Sequence, residues 1–476
     1  MLTLQFGQCG NQLGHELFSK ITEDIKCPSP GISFSDSYDY NESSNAKWFG
    51  GLSKNKKHFA RAILIDTERK VIDKVINKNN KDWCFRHENI ITSKSTGGSA
   101  NNWSFGYLKK GPDLMDSILE VTRRELERAD RLDTFLCLLS CGGGTGSGLG
   151  SYAIQILRDT FPTKNIIGTL IFPFEFGEVA TQNYNIILSL ARIVEDSDLI
   201  IVMENERLHK ELLLLNQSRT SKLINGVDFP NDINDIACQK LISIFQPAKN
   251  IVNEYPNYSN YIISKIVPHP AYKLATIEAV PLLLQRSETS SQYSLQSGKD
   301  SEKWLSHFKS LKKNLSSKHT NNYLSKLHKA KANPSEKINN PINNSQSLSN
   351  ILITRGSSLL KKKNNYHSSN DDNPKIHYEQ LNHDDLYSPT TNWLPSSERL
   401  TYFHQNRRLL NNEKFTSIIT NNSRINNSLD DIISKAWNSY TYGAYLHQYK
   451  SHGLQDDDFL RAFAKIEHLI SNYKKL

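Results

Sequence analysis

The feature that most constrains the fold is a glycine-rich stretch, Ser140-Cys141-Gly142-Gly143-Gly144-Thr145-Gly146-Ser147-Gly148, which has five glycines in its last seven positions. An apolar run at residues 135–139 precedes it and has the length of a buried strand. A run typical of a helix follows it, from residue 152 to about 158. Glycines let a backbone approach a ligand closely and adopt positive φ angles, and a helix N-terminus attracts anions. The order of strand, loop and helix therefore predicts a phosphate-binding site.

The stretch matches neither of two common phosphate-binding motifs. A Walker loop needs a Lys before its Ser or Thr, and the stretch contains no Lys. The dinucleotide fingerprint needs G-x-G-x-x-G, which no register of the stretch supplies. A glycine-rich turn that only packs closely is the alternative that the stretch alone leaves open.

A second strand-to-helix turn lies at the start of the chain. Residues 2–6 alternate like a short strand, and Gly7-Gln8-Cys9-Gly10-Asn11-Gln12 then opens a helix that we expect to end near Ile21. Gln8 could donate to a phosphate or hold a metal-bound water, and Cys9 could pack against a base or ribose. Taken alone, the stretch favours a plain N-terminal turn.

Two further strands predict polar groups at one sheet edge. The strand at residues 61–65 leads into Asp66 and Glu68, and ligands of open α/β sheets collect at such carboxyl ends. Both carboxylates could hold the waters of Mg²⁺, which prefers oxygen ligands; a solvated acidic turn is the alternative. Asn205 directly follows the strand at residues 199–203 and could read a purine edge; a turn or a helix cap is the alternative.

Strands and helices alternate over residues 1–206, which predicts a doubly wound parallel sheet of the α/β class. A small-residue loop, Thr96-Gly97-Gly98-Ser99-Ala100-Asn101-Asn102-Trp103, could fold over a terminal phosphate. Residues 28–60 are polar and irregular, and we expect a long loop there. A buried helix is predicted at residues 232–245, and two amphipathic helices at 430–449 and 457–473.

Residues from about 286 to 400 differ in composition from the rest of the chain. They are rich in Ser, Asn and Lys and poor in large apolar residues, so they cannot bury enough surface to offset their ordering entropy. We expect most of the segment to be a disordered insertion. Two short apolar pieces, residues 304–311 and 351–360, are candidates for core elements within it.

The positive charge lies in the same segment. The chain has a formal net charge of +9, yet residues 299–363 alone hold 14 Lys or Arg and three Asp or Glu. The rest of the chain is therefore slightly acidic, and the charge does not predict a nucleic-acid partner for the folded part.

The spacing of the cysteines and the length of the apolar runs indicate the cellular compartment of the protein. The six cysteines form no C-x-x-C pair, which predicts neither a zinc site nor a disulfide framework and is typical of reduced, intracellular thiols. We expect no membrane span and no signal peptide, because no apolar run is long enough.

Six stretches occur in the order and near the spacing found in tubulins, and together the chain resembles that family over most of its length outside 286–400. They are Gly7-Gln8-Cys9-Gly10-Asn11-Gln12, Ala100-Asn101-Asn102-Trp103, residues 142–148, Tyr184-Asn185, Val267-Pro268-His269-Pro270 and Ala444-Tyr445-Leu446-His447-Gln448-Tyr449. Within the family the chain is most similar to the delta type. The stretches behind this are Gly177-Glu178-Val179, Gln182-Asn183-Tyr184-Asn185, Phe245-Gln246-Pro247 and the V-P-H-P stretch.

The resemblance implies a three-part, tubulin-like architecture. It implies a doubly wound GTP-binding domain at 1–230, a core connecting helix at 231–247, an α/β intermediate domain at 248–425 that carries the insertion, and C-terminal helices at 426–476. It also implies GTP or GDP and Mg²⁺ as cofactors, other tubulins of alpha, beta or epsilon type as partners, and a place in the cytoplasmic cytoskeleton at centrioles or basal bodies.

The resemblance also implies roles for particular residues. Phosphate contacts fall to Gln8, to Ser140 and to Gly142, Gly143, Gly144, Thr145, Gly146, Ser147 and Gly148. Ala100 and Asn101 would line the terminal-phosphate loop, with Cys9 and Gln182 also near the nucleotide. Glu178 would approach the ribose, Asn205 and Asn234 would read guanine, and Asp66 and Glu68 would face Mg²⁺.

The sequence departs from the family pattern in three places. Pro230 stands where the family has an aromatic residue against the base, with Phe229 beside it. Tyr261 falls at the position of an acidic residue that activates water in some members, and Tyr is a poor base at neutral pH. The chain ends in Lys474-Lys475-Leu476, without an acidic tail. The resemblance therefore implies GTP binding, whereas Tyr261 argues against GTP hydrolysis through that position.

Two functions follow as hypotheses. The first is a GTP-binding structural subunit that supports triplet microtubules and cilium formation. The alternative is a GTPase whose turnover is itself the regulatory function, without incorporation into microtubules.

Overall fold

The computed structural model of the chain describes residues 1–28, 32–78, 80–93, 97–175, 177, 179–217, 229–250, 258–283, 307, 310–311, 346–356 and 393–476. Most of the predicted insertion, and also Glu178, lie outside the described residues. The division into domains with the boundaries given above stays a prediction.

An eleven-stranded sheet organises the part of the chain that the structure describes. Its strands run in the order β10-β13-β12-β14-β11-β9-β8-β7-β1-β4-β6, and β2, β3 and β5 form a separate small sheet. The strands are β1 (Leu2–Phe6), β2 (Phe49–Leu52), β3 (His58–Ala60), β4 (Ala62–Asp66), β5 (Trp83–Cys84), β6 (Ile90–Thr92), β7 (Thr134–Ser140), β8 (Asn165–Phe172), β9 (Leu199–Glu204), β10 (Lys249–Asn250), β11 (Leu274–Val280), β12 (Ser347–Arg355), β13 (Leu400–Gln405) and β14 (Phe415–Asn422).

The N-terminal half of the sheet is parallel, which confirms the predicted doubly wound class. Strands β6, β4, β1, β7, β8, β9 and β11 pair in parallel, one beside the next. The second half is mixed, because β14 is antiparallel to both β11 and β12. In the parallel half the registers bring the carboxyl ends of β1, β4 and β7 to one edge, which is where the predicted polar residues begin.

Helices cover both faces of the sheet. They are α1 (Gly7–Lys26), α2 (Phe34–Trp48), α3 (Arg69–Ile76), α4 (Trp103–Phe105), α5 (Gly111–Glu127), α6 (Gly150–Thr160), α7 (Gln182–Asp196), α8 (Asn205–Gln217), α9 (Phe229–Phe245), α10 (Tyr258–Ile266), α11 (Ser396–Arg399), α12 (Ile425–Thr441), α13 (Leu446–Lys450) and α14 (Asp456–Lys474). Cys137 and Leu139 of β7 point into one apolar core, whereas Leu136 and Leu138 point into the other. This alternation is what a strand buried on both faces requires.

The expected loop at residues 28–60 is wrong, because α2 occupies its middle. The Ser33 side chain caps this helix by accepting a hydrogen bond from the Asp36 N–H at 3.1 Å. Only Tyr40, Ser44 and Trp48 are buried, four residues apart, on a narrow stripe. The other positions are mostly polar, so the stripe was too sparse to reveal the helix in the sequence.

The chain within the predicted insertion contributes one core strand. All nine residues of β12 are buried, and the strand lies between β13 and β14. The core piece predicted at residues 351–360 overlaps the second half of this strand. Of the described helices, none is long and apolar enough to cross a membrane.

A buried carboxylate joins four distant segments of the chain. The Asp24 carboxylate accepts hydrogen bonds from the Tyr40 hydroxyl at 2.7 Å, the Gln246 amide at 2.9 Å and the Leu410 N–H at 2.9 Å. The Arg407 guanidinium lies 3.6 Å away, and both charged side chains are buried. These contacts hold α1, α2, the end of α9 and the turn before β14 together.

Replacing Asp24 with Asn should destabilise the fold strongly, because Arg407 would be left buried without its countercharge. We expect a loss of roughly 3–5 kcal/mol in the free energy of unfolding, measured by urea or thermal denaturation. The control is Asp73→Asn, which breaks the pair with Arg69 on the surface of α3. That change should cost about 0.5 kcal/mol or less, and equal losses in the two variants would contradict the prediction.

Candidate nucleotide site

The glycine-rich loop begins where β7 ends and winds directly into a helix. Residues Thr145–Leu149 form a wide π-helical turn that continues as α6. A Cβ on Gly146 would lie 2.5 Å from the Ser140 carbonyl oxygen, and one on Gly144 would lie 2.6 Å from the Asn102 nitrogen. Glycine is therefore required here for close packing. The expected positive φ angles are absent between residues 142 and 148.

Positive φ angles occur instead in the loops that face this stretch. Gly7 has a φ of +69°, and a Cβ there would lie 3.2 Å from the Gly146 nitrogen. Ala100 and Asn101 have φ angles of 48° and 52°, which is a strained conformation for side chains with a Cβ. The first turn of α1 and the loop before α4 are thus pressed against the glycine-rich loop.

Three hydroxyl groups connect the loops. The Thr145 hydroxyl lies 2.9 Å from that of Thr67 and donates to that of Ser99 at 3.0 Å. The Ser99 and Thr67 hydroxyls are 3.4 Å apart. Sequence reasoning missed Thr67 and Ser99 as site residues, although both lie inside the stretches that it singled out.

Asp66 is a buried acid with an unused oxygen. Its Oδ1 accepts the Glu68 N–H at 3.0 Å, whereas its buried Oδ2 has no hydrogen-bond partner among the described residues. Burial raises the pKa of the Asp66 carboxyl from 3.8 to about 6. The Glu68 side chain is exposed and lies against Gly98, where an added Cβ would overlap its carboxylate. The two acids therefore lie close together in the chain at the carboxyl end of β4, and their role toward Mg²⁺ stays a prediction.

Gln8 and Cys9 begin α1 beside the glycine-rich loop. Gln8 is exposed and Cys9 is partly buried. The Asn11 amide fixes this turn, because it donates to the carbonyl oxygens of Gly7 at 2.9 Å and Ile65 at 3.2 Å. Burial raises the pKa of the Cys9 thiol to about 12, so the group is neutral.

The residues predicted to read ribose and base are less directly tied to this cluster. The Gln182 amide at the start of α7 donates to the Phe174 carbonyl at 2.8 Å, and its buried Oε1 has no hydrogen-bond partner in the described part. Asn205 begins α8 and Asn234 lies in α9, and these two helices pack together. Their roles toward a nucleotide stay predictions.

Asn185 connects the loops most extensively, and sequence reasoning did not place it in the site. Its amide donates to the carbonyl oxygens of Asn101 at 2.9 Å and Gly142 at 2.8 Å. Its oxygen accepts from the Trp103 N–H at 2.9 Å and the Tyr449 hydroxyl at 2.7 Å. Tyr184-Asn185 was part of the family resemblance, which was the available signal.

Chemically, the arrangement suits a phosphorylated ligand with a cation. A helix N-terminus, a glycine-rich turn and three hydroxyls supply neutral donors for phosphate oxygens. Asp66 and Glu68 offer oxygen ligands at the same edge. The Cys141 thiol of the loop is not an activated nucleophile. Burial raises its pKa to about 12, so the thiol stays protonated at neutral pH.

Comparison with known proteins agrees with this description. Residues 1–212 match the Tubulin/FtsZ family, GTPase domain. The whole chain is 30% identical to the tubulin delta chain of Canis lupus familiaris over 492 residues, covering 100% of both chains. It is 29% identical to the tubulin delta chain of Homo sapiens, again over 100% of both chains, and 30% identical to that of Mus musculus over 99% of the latter.

Adjacent glycines of the loop should differ sharply in their tolerance of a side chain. Gly144→Ala places a Cβ 2.6 Å from the Asn102 nitrogen and 2.8 Å from the Ser99 Cβ, so the loop before α4 must shift. We expect a loss of about 1–3 kcal/mol of stability, measured by denaturation.

Gly143→Ala is the control, because its nearest neighbour would be the Asn101 Oδ1 at 3.7 Å, an ordinary contact. That variant should stay within about 0.5 kcal/mol of the natural protein. The packing argument is wrong if Gly143→Ala is the more damaging of the two.

Proposed function

The chain belongs to the tubulin family, and from this we propose that it is a GTP-binding structural constituent of the microtubule cytoskeleton, of the delta type. Membership of the family implies binding of GTP or GDP and interaction with other tubulins. We further propose that the protein acts at centrioles and basal bodies, in triplet microtubule assembly and ciliogenesis. Full-length similarity to tubulin delta chains supports this part of the proposal.

The observation that carries the proposal is the meeting of three loops at the carboxyl edge of the parallel sheet. The hydroxyls of Thr67, Ser99 and Thr145 touch one another there, and the first turn of α1 lies against the same point. We propose that backbone N–H groups of residues 142–148, with Ser140 and Gln8, bind the phosphates. Ala100 and Asn101 then cover the terminal phosphate.

The buried acid supports a magnesium ion at this edge. An oxygen that is buried and lacks a hydrogen-bond partner in the described structure, as Asp66 Oδ2 does, is costly unless a cation or a bound water meets it. Asp66 and Glu68 would hold the ion together with waters and phosphate oxygens. When bound, Mg²⁺ would offset the negative charge of the phosphates.

The chain offers no acidic group at the Tyr261 position that would activate water. The Tyr261 ring packs edge-on against Phe403, with ring centroids 5.6 Å apart, and the Lys265 ammonium lies 5.9 Å from the ring centroid. A phenol is protonated at neutral pH and is a weak general base. We therefore propose that GTP is bound as a structural ligand and is hydrolysed slowly, without a general base from the Tyr261 position in α10.

The magnesium dependence of nucleotide binding should weaken progressively as the pH falls below about 6. Because burial raises the pKa of Asp66 to about 6, the carboxyl is protonated below that pH, which favours the empty site and opposes the ion. We expect Mg²⁺ affinity to fall about tenfold per pH unit below the pKa.

The measurement is the gain in melting temperature given by Mg²⁺ with GTP, recorded from pH 5 to pH 8. Asp66→Asn should remove most of this gain and its pH dependence, whereas Asp73→Asn should keep both. An unchanged pH profile in Asp66→Asn would argue against this metal site.

A turnover assay separates the structural function from the alternative of a regulatory GTPase. Tyr261→Phe should leave the slow GTP turnover of the protein unchanged within about twofold, because the Tyr261 hydroxyl is not the general base.

Two further measurements test nucleotide binding and location. The purified protein should release guanine nucleotide on denaturation, and a tagged copy should lie at basal bodies in a ciliated cell.

Two results would count against the structural function. One is appreciable GTP turnover by the isolated protein that depends neither on its own concentration nor on added alpha/beta tubulin. The other is a purified protein that holds no nucleotide and takes up none with Mg²⁺.

A further inference from the structure

The Asn185 side chain makes every hydrogen bond that it can, three of them to segments around the nucleotide site and one to the C-terminal helix α13. An Asn side chain can donate two hydrogen bonds and accept two at its oxygen. Asn185 donates to Asn101 and Gly142 and accepts from Trp103 and Tyr449, at distances between 2.7 and 2.9 Å. The side chain is fully buried, so losing any one of these bonds leaves a polar group unpaired.

The two donated bonds determine where carbonyl oxygens point. Phosphate oxygens are bound by N–H and O–H groups, and a carbonyl oxygen facing them would repel them. The Asn185 amide takes up the carbonyl oxygens of Asn101 and Gly142, one in each of the two loops that would enclose the phosphates. It also holds Asn101 in its left-handed conformation, which costs energy without such support.

Tyr449 extends the connection to the C-terminal helices. Its hydroxyl donates to Asn185, and its backbone carbonyl accepts the Ser104 hydroxyl at 3.2 Å, at the start of α4. Its ring packs edge-on against Tyr184, the neighbour of Asn185, with centroids 5.5 Å apart. The short helix α13 is therefore bonded to two of the segments that shape the site.

We propose that Asn185 and Tyr449 are positioning residues of the nucleotide site, and that α13 thereby sets how tightly the loops hold a nucleotide. Both side chains are buried, and all four partners of Asn185 are protein groups, so the proposal places neither residue against the nucleotide. They act by fixing the Asn101 and Gly142 carbonyls away from the phosphates. The inference rests on the proposed binding of GTP.

The chain supplies a matched pair of tyrosines for the test. Tyr449 and Tyr473 are both buried in the C-terminal helices, and each hydroxyl donates to an Asn side chain. The partner of Tyr473 is Asn421, at 2.9 Å, in the antiparallel part of the sheet. Tyr449→Phe and Tyr473→Phe therefore each delete a buried hydroxyl that donates to an Asn, but only Tyr449 is bonded to Asn185. The Tyr473 hydroxyl also accepts the Leu274 N–H at 2.8 Å, so its loss is the more severe control for stability.

The expected result is a difference in nucleotide release. Tyr449→Phe should raise the dissociation rate of a fluorescent GDP with Mg²⁺ by roughly 3- to 10-fold, the effect of one hydrogen bond. Tyr473→Phe should change that rate by less than about twofold, while lowering the melting temperature at least as much as Tyr449→Phe, because it leaves the Leu274 N–H unpaired. Equal release rates in the two variants would overturn the inference even though GTP binding stands.

A second measurement does not depend on nucleotide. Hydrogen exchange of the backbone amides at residues 97–106 and 141–148 should speed up in nucleotide-free Tyr449→Phe and stay unchanged in Tyr473→Phe. If the natural protein binds no nucleotide, the proposed function fails, and this measurement still decides whether Tyr449 orders the loops. Unchanged exchange in Tyr449→Phe would refute the inference.

The same comparison extends to the amide partners. Asn421 donates to the carbonyls of Ile266 at 2.8 Å and Tyr272 at 2.7 Å, so Asn421→Asp is the counterpart of Asn185→Asp. Each change replaces two donated bonds with a carboxylate. Asn185→Asp should weaken GDP binding by more than tenfold relative to Asn421→Asp, and comparable affinities would oppose the positioning role.

Discussion

The site depends on the close approach of backbone to backbone at the carboxyl edge of the parallel strands. The glycine-rich loop lies so near the loop before α4 that a Cβ at Gly144 would overlap main-chain atoms of that loop, and one at Gly146 would overlap the Ser140 main chain. Three hydroxyls then meet across the loops at 2.9–3.4 Å. This close approach brings hydroxyl groups that follow three different strands to one point. A single loop could not do so. The rest of the fold serves to hold these loops against one another.

The sequence predicted the elements that depend on local pattern. Apolar runs predict the buried strands around the glycine-rich loop and the parallel sheet. Polar residues where those runs end predict the two acids at the carboxyl end of β4. The helix α9 was also predicted, over residues 232–245, because apolar residues recur there on one side at helical spacing, and the structure begins it at Phe229. The family resemblance added the architecture and most of the candidate site residues, whose roles toward a nucleotide stay predictions.

The missed features depend on tertiary contacts that local pattern does not encode. The helix α2 is held by three buried residues on an otherwise polar segment, two of which bond the Gln246 side chain some 200 positions away. The strained positive φ angles lie at Ala100 and Asn101, and none lies at the glycines of residues 142–148, because the surrounding loops enforce them. The sequence does not distinguish Asn185 from another Asn in a helix, because its four hydrogen-bond partners lie in distant segments. Each of these requires the folded neighbours to be known.

The C-terminal half of the chain is part of the nucleotide-binding fold rather than an appendage to it. Arg355 of β12 is fully buried, and its guanidinium donates to the carbonyls of Gln246 at 2.6 Å and Pro247 at 2.8 Å, and also to that of Ser243. A helix leaves its last carbonyls unpaired, so this arginine satisfies the end of α9. The same α9 packs along α1, whose first turn adjoins the glycine-rich loop. A strand inside the predicted insertion thus supports, through one helix, the element that opens the site, so this strand belongs to the core and not to the insertion.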